Sequence, residues 1–181
     1  MSSAWSLDQA TRVLLVCLGN ICRSPTAEAV LRHQVDQAGW SSHVDIDSAG
    51  TAAWHVGKSP DERSQRHARA RGYDLSIQRA RQLTVDDLRQ FDYVLAMDED
   101  NLSVIEALKA ELAPDEQARV YTGLFLAFHP SAKQPRFDLA LPDPYYGGDD
   151  GFETVLDLCE SAGTGLLKTI LTKRGVVGCG C

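Results

Sequence analysis

Residues 12–18, Arg-Val-Leu-Leu-Val-Cys-Leu, carry no polar side chain after Arg12. A strand with one face in water alternates apolar and polar residues; a run without alternation is buried on both faces. Asp92–Met97, "DYVLAM", reads the same way, Ala118–Phe125 is a further strand, and the alternating His43–Ser48, "HVDIDS", is another. Helical segments separate these runs. Ser24-Pro25 opens one, with Ala27, Val30, Leu31 and Val35 at helical spacing and Gly39 at the stop. Ser59-Pro60-Asp61-Glu62 opens a second that runs to about Arg71, and Thr84–Asp87 resembles a capping box with Asp in place of Glu. Asn101–Leu112 presents Leu102, Ile105 and Leu108 on one face, residues 129–150 are a loop rich in Pro, Gly and Asp, and Phe152–Leu171 is a closing helix. Buried strands alternating with helices predict an α/β chain: a parallel sheet covered by helices on both faces.

The chain of 181 residues suits a single domain: an extension over 1–10, a folded unit over 11–173 and a Gly/Cys tail over 174–181. A net charge of −7 argues against nucleic acid or an anionic membrane as partner, but leaves room for a local positive pocket. No segment approaches the roughly 18 apolar residues that span a bilayer, and Met1–Gln9 lacks a leader pattern, so the expected location is the cytoplasm. Five cysteines at this spacing suit no disulfide framework, which turns attention to each thiol separately.

In open parallel sheets, ligands bind at the carboxyl ends of the strands. Cys17 stands at such an end, followed by Leu18, Gly19, Asn20, Ile21, Cys22, Arg23 and Ser24 before the helix. Amides at a helix start lack intrahelical partners and carry positive potential, which makes a cradle for an oxyanion. Gly19 is expected to permit a turn that other residues resist. The Arg23 fork matches two oxygens of a phosphate. The same field favours the thiolate of Cys17, a nucleophile aimed at phosphorus, and Ser24 can donate to the sulfur. The plainer alternative makes Cys17 and Cys22 core thiols and Arg23 a surface charge.

"VCLGNICRSPTAEAV" resembles the signature of the low-molecular-weight protein tyrosine phosphatases, and the resemblance continues through "DSAGTAAWHVG", "ARQLTVDDLRQFDYVLAMDEDN" and "DPYYGG", covering about residues 11 to 172. It implies a four-stranded, Rossmann-like three-layer sandwich and a hydrolase that forms a phosphocysteine with neither metal nor cofactor. Its partners would be phosphotyrosine-containing proteins, with inorganic phosphate as product and a monomer or weak homodimer as the assembly. Cleaving a phosphotyrosine requires a proton on the leaving oxygen. Asp143, between Pro142 and Pro144, falls on the family's general acid, where apolar neighbours and a bound dianion would favour the protonated form; otherwise it is a turn aspartate. Trp54, Tyr145 and Tyr146 fall on the walls of the family's substrate cleft, against the alternative of ordinary packing. His55 reads as a solvated loop residue. Asn20 and Ser48 resemble the family's loop supports, and Asp98 an acid near the loop arginine that also suits a helix N-cap. Gln78 stands where the family often has histidine.

By the same resemblance Cys22 is a redox partner able to form a disulfide with oxidised Cys17, unless it merely packs. Cys159 reads as core, and Cys179 and Cys181 read as an inert tail, with relay thiols or a lipid site as alternatives. Two rival readings share the loop: an arsenate reductase with relay cysteines, and a silent phosphate-binding domain. A nucleotide-binding reading rests on "GTGLLK" at 163–168, which follows no strand.

Overall fold

The computed structural model describes residues 9–176. In chain order the elements are β1 (Thr11–Cys17), α1 (Arg23–Gln37), β2 (Val44–Gly50), α2 (Glu62–Ala70), α3 (Val85–Gln90), β3 (Tyr93–Ala96), α4 (Glu99–Lys109), α5 (Pro114–Gln117), β4 (Tyr121–Leu124) and α6 (Asp149–Lys173). The strands form one four-stranded sheet in the order β2-β1-β3-β4, with every pairing parallel. The α/β sandwich expected from the sequence is the fold observed.

Alternation along β1 decides what each face holds. Val13, Leu15 and Cys17 pack toward α1 and α6; Leu14 and Val16 pack with Leu88 and Ile105 from α3 and α4. Side chains as fully buried as Leu14 and Leu15 each stabilise the fold by about 1.5–3 kcal/mol. Period-two geometry therefore puts Cys17 on the same face as α1.

The order of strands also sets the site. From β1 the chain crosses to β2 on one side, and then to β3 and β4 on the other. The reversal opens a crevice at the carboxyl ends of β1 and β3, where Val16 pairs with Ala96 and Cys17 follows.

Several boundaries differ from the sequence reading. Asp61, not Ser59, caps α2: its side chain accepts from the Arg63 amide. Ala118–Phe125 shortens to Tyr121–Leu124, because Phe125 enters a 3-10 turn and Pro114 opens the unexpected α5. The closing helix begins at Asp149 rather than Phe152, so Asp149 and Asp150 place negative charge on its first turn. "GTGLLK" lies inside α6, where a Cβ on Gly165 would collide with the Phe128 carbonyl oxygen. That glycine serves close packing against the 3-10 turn, not phosphate binding. Cys159 is fully buried, as expected of a core residue; Cys179 and Cys181 lie outside the described residues.

Candidate active site

β1 ends at Cys17, and the chain loops through residues 18–22 before α1 begins at Arg23. The sulfur of Cys17 accepts from the Asn20 amide at 3.2 Å and lies 3.0 Å from the Ser24 hydroxyl. The direction of that second bond follows from its neighbours. Asn20 Oδ1 accepts from the Arg81 backbone amide at 2.9 Å, so its Nδ2 points the other way and donates to both Ser24 Oγ and Ser48 Oγ, each at 2.9 Å. Ser24 accepts there, which leaves its hydrogen for Cys17 or for the more distant Ala49 carbonyl at 3.4 Å. Ser48 in turn donates to Glu28 Oε2 at 2.6 Å. Glu28 is buried, and desolvation raises its carboxyl above the usual range despite the opposing bonds from Ser48 and Arg32.

The electrostatics of the loop suit an anion. Helices α2, α3, α4 and α6 each carry acidic residues on their first turn, whereas α1 carries none and its N-cap, Cys22, makes no side-chain cap. Cys22 lies 5% exposed, and burial pushes its thiol up to about 12. At neutral pH it is therefore a thiol.

Arg23 is buried beneath the loop. Its NH1 donates to Asp98 Oδ2 at 2.5 Å and to the Leu141 carbonyl at 3.2 Å; its NH2 donates to Asp143 Oδ2 at 3.2 Å. Asp98 fills both roles weighed for it, since its Oδ1 also caps α4 through the Asn101 amide at 2.8 Å. Asp143 is likewise a turn aspartate and a site carboxylate together: Oδ1 accepts from the Tyr145 amide at 3.1 Å while Oδ2 faces Arg23. Its surroundings differ from the apolar setting expected, because the carboxylate is 39% exposed and ion-paired.

These groups meet in one cavity of about 140 Å³, lined at its base by Cys17, Cys22 and Arg23 and at its rim by Trp54, Asp143, Tyr145 and Tyr146. Trp54 is 70% exposed and Tyr146 92%, so neither ring is core; Tyr145 and Tyr146 meet edge to face at 4.9 Å. Leu18, Gly19 and Ile21 complete the loop wall.

A profile of the low molecular weight phosphotyrosine protein phosphatase family matches residues 12–176. The low molecular weight protein-tyrosine-phosphatase of Streptomyces coelicolor is 42% identical over 159 residues, 88% of this chain and 93% of that one. The human low molecular weight phosphotyrosine protein phosphatase is 40% identical over 153 residues, 84% of this chain and 91% of its own. Among solved structures, the protein tyrosine phosphatase of Entamoeba histolytica superposes with a TM-score of 0.78 at 32% identity, covering 93% of this chain and all of that one. The chain belongs to the low molecular weight phosphotyrosine protein phosphatase family. The arsenate reductase alternative is not favoured.

Sequence reasoning about this phosphatase mislocated one feature and missed others. Gly19 does not adopt a left-handed backbone; among described non-glycine residues only Asn20 does, at φ 55°. Gly19 matters instead for space, as a Cβ there would lie 3.0 Å from a ring carbon of His55. His55 accordingly lines the cavity rather than standing in solvent. Gly50 was missed: a Cβ on it would lie 2.8 Å from the Leu18 carbonyl, so only glycine lets β2 end against the phosphatase loop. Glu28 and Arg81 were missed too, and "AEA" and "RAR" give no local signal of what they reach across the fold. Gln78, at the position where the family often has histidine, donates through Nε2 to the Pro25 carbonyl at 3.0 Å.

No helix among the described residues is long and apolar enough to cross a membrane.

Proposed function

We propose that this phosphatase hydrolyses phosphotyrosine in proteins, and small aryl phosphates, through a phosphocysteine on Cys17. The single observation that carries the reading is the convergence of a buried sulfur, a buried guanidinium and a half-exposed carboxylate on one aromatic-rimmed cavity. A phosphate dianion entering the loop meets the first-turn amides of α1 and the NH2 edge of Arg23. Asp98 retains NH1 through the shorter bond, so the phosphate competes with Asp143 for the longer one. Freed from that bond, Asp143 stands at the rim as the proton donor for the leaving oxygen.

The Cys17 thiolate then attacks phosphorus. The S–P bond forms, the P–O bond to the phenol breaks, and Asp143 gives its proton to the phenolic oxygen. In the second step a water attacks phosphorus, Asp143 takes the water's proton, and the S–P bond breaks to release inorganic phosphate and the thiolate. Ser24, donating to sulfur, stabilises the departing charge. Loop amides and Arg23 hold the equatorial oxygens in both transition states. Trp54, Tyr145 and Tyr146 supply faces for the substrate ring.

Cys22 lines the same cavity and supports a protective role. A peroxide converts Cys17 to a sulfenic acid, and the Cys22 thiol condenses with it to a disulfide and water. Two free thiols in one site suit a reducing compartment, which supports the cytoplasm as the place of action.

The test pairs two variants. Cys17→Ser should lose turnover of p-nitrophenyl phosphate while still binding phosphate; retained turnover refutes the nucleophile. Asp143→Ala should slow poor leaving groups most, and an equal loss for all leaving groups refutes the acid.

A further inference from the structure

We propose that Arg63 is a positioning residue for the general acid: with Asp61 it clasps the segment that carries Asp143 to the loop that carries Cys17. The proposal rests on the reading of Asp143 as the acid.

Asp143 lies between β4 and α6 on a stretch without helix or strand, yet a proton donor must be held within about half an ångström of its productive place. On its N-terminal side the segment is tied by the Leu141 amide to the Met97 carbonyl at 2.7 Å, and by Arg23 to the Leu141 carbonyl. On its C-terminal side the tie is Arg63. Its NH2 donates to the Tyr145 carbonyl at 3.1 Å, and the amide of that same residue donates to Asp143 Oδ1 at 3.1 Å. The guanidinium carbon also lies 5.5 Å from the centre of the Tyr145 ring and 4.9 Å from that of Phe152 on α6.

The other end of the clasp is equally fixed. Asp61 holds Arg63 with both oxygens, Oδ1 to Nε at 3.1 Å and Oδ2 to NH2 at 3.0 Å. The Asp61 backbone amide donates to the Ile21 carbonyl at 2.8 Å, inside the phosphate loop. One connected path thus runs from Ile21 through Asp61 and Arg63 to Tyr145 and Asp143, joining the two sides of the cavity. Further along, the basic side chains of α2 and of Arg71, which caps it, do other work: Arg66 meets Asp149, while His67 and Arg71 meet Glu153, pinning α2 to α6. Arg63 instead turns to the acid segment. Three donor directions and a flat face between two rings are properties of arginine that lysine does not reproduce.

The experiment measures kcat/KM for aryl phosphates of graded leaving-group basicity in the parent, Arg63→Ala, Arg63→Lys, Asp143→Asn and the Arg63→Ala/Asp143→Asn double variant, with inhibition by inorganic phosphate alongside. Misplacing an acid by about an ångström costs roughly tenfold to a hundredfold. Arg63→Ala should show that loss for the poorest leaving groups and little for the best, with phosphate inhibition unchanged. Arg63→Lys should recover part of it, and guards against an alanine variant that folds poorly. In the Asp143→Asn background the alanine change should add no further loss. An equal loss for every leaving group, the same additional loss in the Asp143→Asn background, or no loss at all overturns the proposal. If Asp143→Asn alone shows no leaving-group dependence, the acid assignment itself fails, and the clasp loses its purpose with it.

Discussion

Asn20 is the residue on which the loop's order depends, and its replacement can be worked through in numbers. It is 3% exposed, holds φ at 55°, and its side chain makes three hydrogen bonds at 2.9 Å, to Ser24, to Ser48 and from the Arg81 amide. Each buried bond contributes about 1 kcal/mol net, so Asn20→Ala loses about 3 kcal/mol. Alanine also tolerates the left-handed region poorly, which adds roughly 1 kcal/mol that asparagine largely escapes. Asn20→Gly loses the same bonds without the backbone cost, but gains unfolded-state entropy worth about 0.5–1 kcal/mol. Both variants should therefore fall by about 4 kcal/mol, a drop in Tm of roughly 8–16 °C for a chain of this size. Urea unfolding in phosphate-free buffer measures the change in midpoint at constant slope. Turnover of p-nitrophenyl phosphate should fall as well, since Ser24 then has no donor fixing it and its hydrogen can turn to Ala49. An Asn20→Ala protein within about 1 kcal/mol of the parent, with unchanged turnover, would refute the network as the source of the loop's order.

The two loop thiols should react differently. Iodoacetamide at neutral pH should label Cys17 and spare Cys22, whose thiol burial pushes up to about 12, and peptide mapping by mass spectrometry separates them from the other cysteines. Glu28 gives a pH signature. Its folded carboxyl is raised above 4.5, so its contribution to stability is fully present below the unfolded value and is lost as pH rises through the folded one. Glu28→Gln should accordingly gain stability relative to the parent between mildly acidic and neutral pH, and a difference flat across that range in urea titrations contradicts it. Asp98→Asn should keep the α4 cap but lose the charged bond to Arg23, which retains Asp143 and the Leu141 carbonyl, lowering stability by about 1.5–3 kcal/mol. Asp98→Ala should lose a further 1 kcal/mol or so with the cap, which thermal unfolding of the pair resolves.

How much of this was legible in the sequence depends on how local each cause is. Buried strands announce themselves by lacking alternation, so β1 and β3 were readable to within a residue or two, and a strand end followed by Gly, Arg and Ser-Pro located the loop. β4 was drawn too long because "VYTGLF" keeps its apolar character through Phe125, where the backbone tightens into a 3-10 turn that no residue type marks. The pairing of Arg23 with Asp98 and Asp143 spans 75 and 120 residues, and those carboxylates were found only because a family pattern pointed to them. Glu28 and Arg81 lie inside stretches that resemble the family but carried no role there, and Arg63 lies outside them. Each looks like an ordinary charge on a helix or turn, and its role exists only once β2, α2 and the segment after β4 are brought to one end of the sheet.

The Cys17 sulfur is also part of what holds its loop together. Helix α1 begins without an acidic first turn and without a side-chain cap, so its start is left positive. Inside the loop the atom that answers this field is the sulfur of Cys17, which accepts from the Asn20 amide and stands within reach of the Ser24 hydroxyl. The left-handed turn at Asn20 aims that amide at the sulfur, and the Asn20 side chain meanwhile orients Ser24 toward it. The loop is thus built around the sulfur that its donors face. In the proposed reaction, phosphorus bound to the sulfur would carry charge outward onto the phosphate oxygens, toward the amides at the start of α1. The donors that face the sulfur stand in place before substrate arrives, which is the physical content of preorganisation at this site.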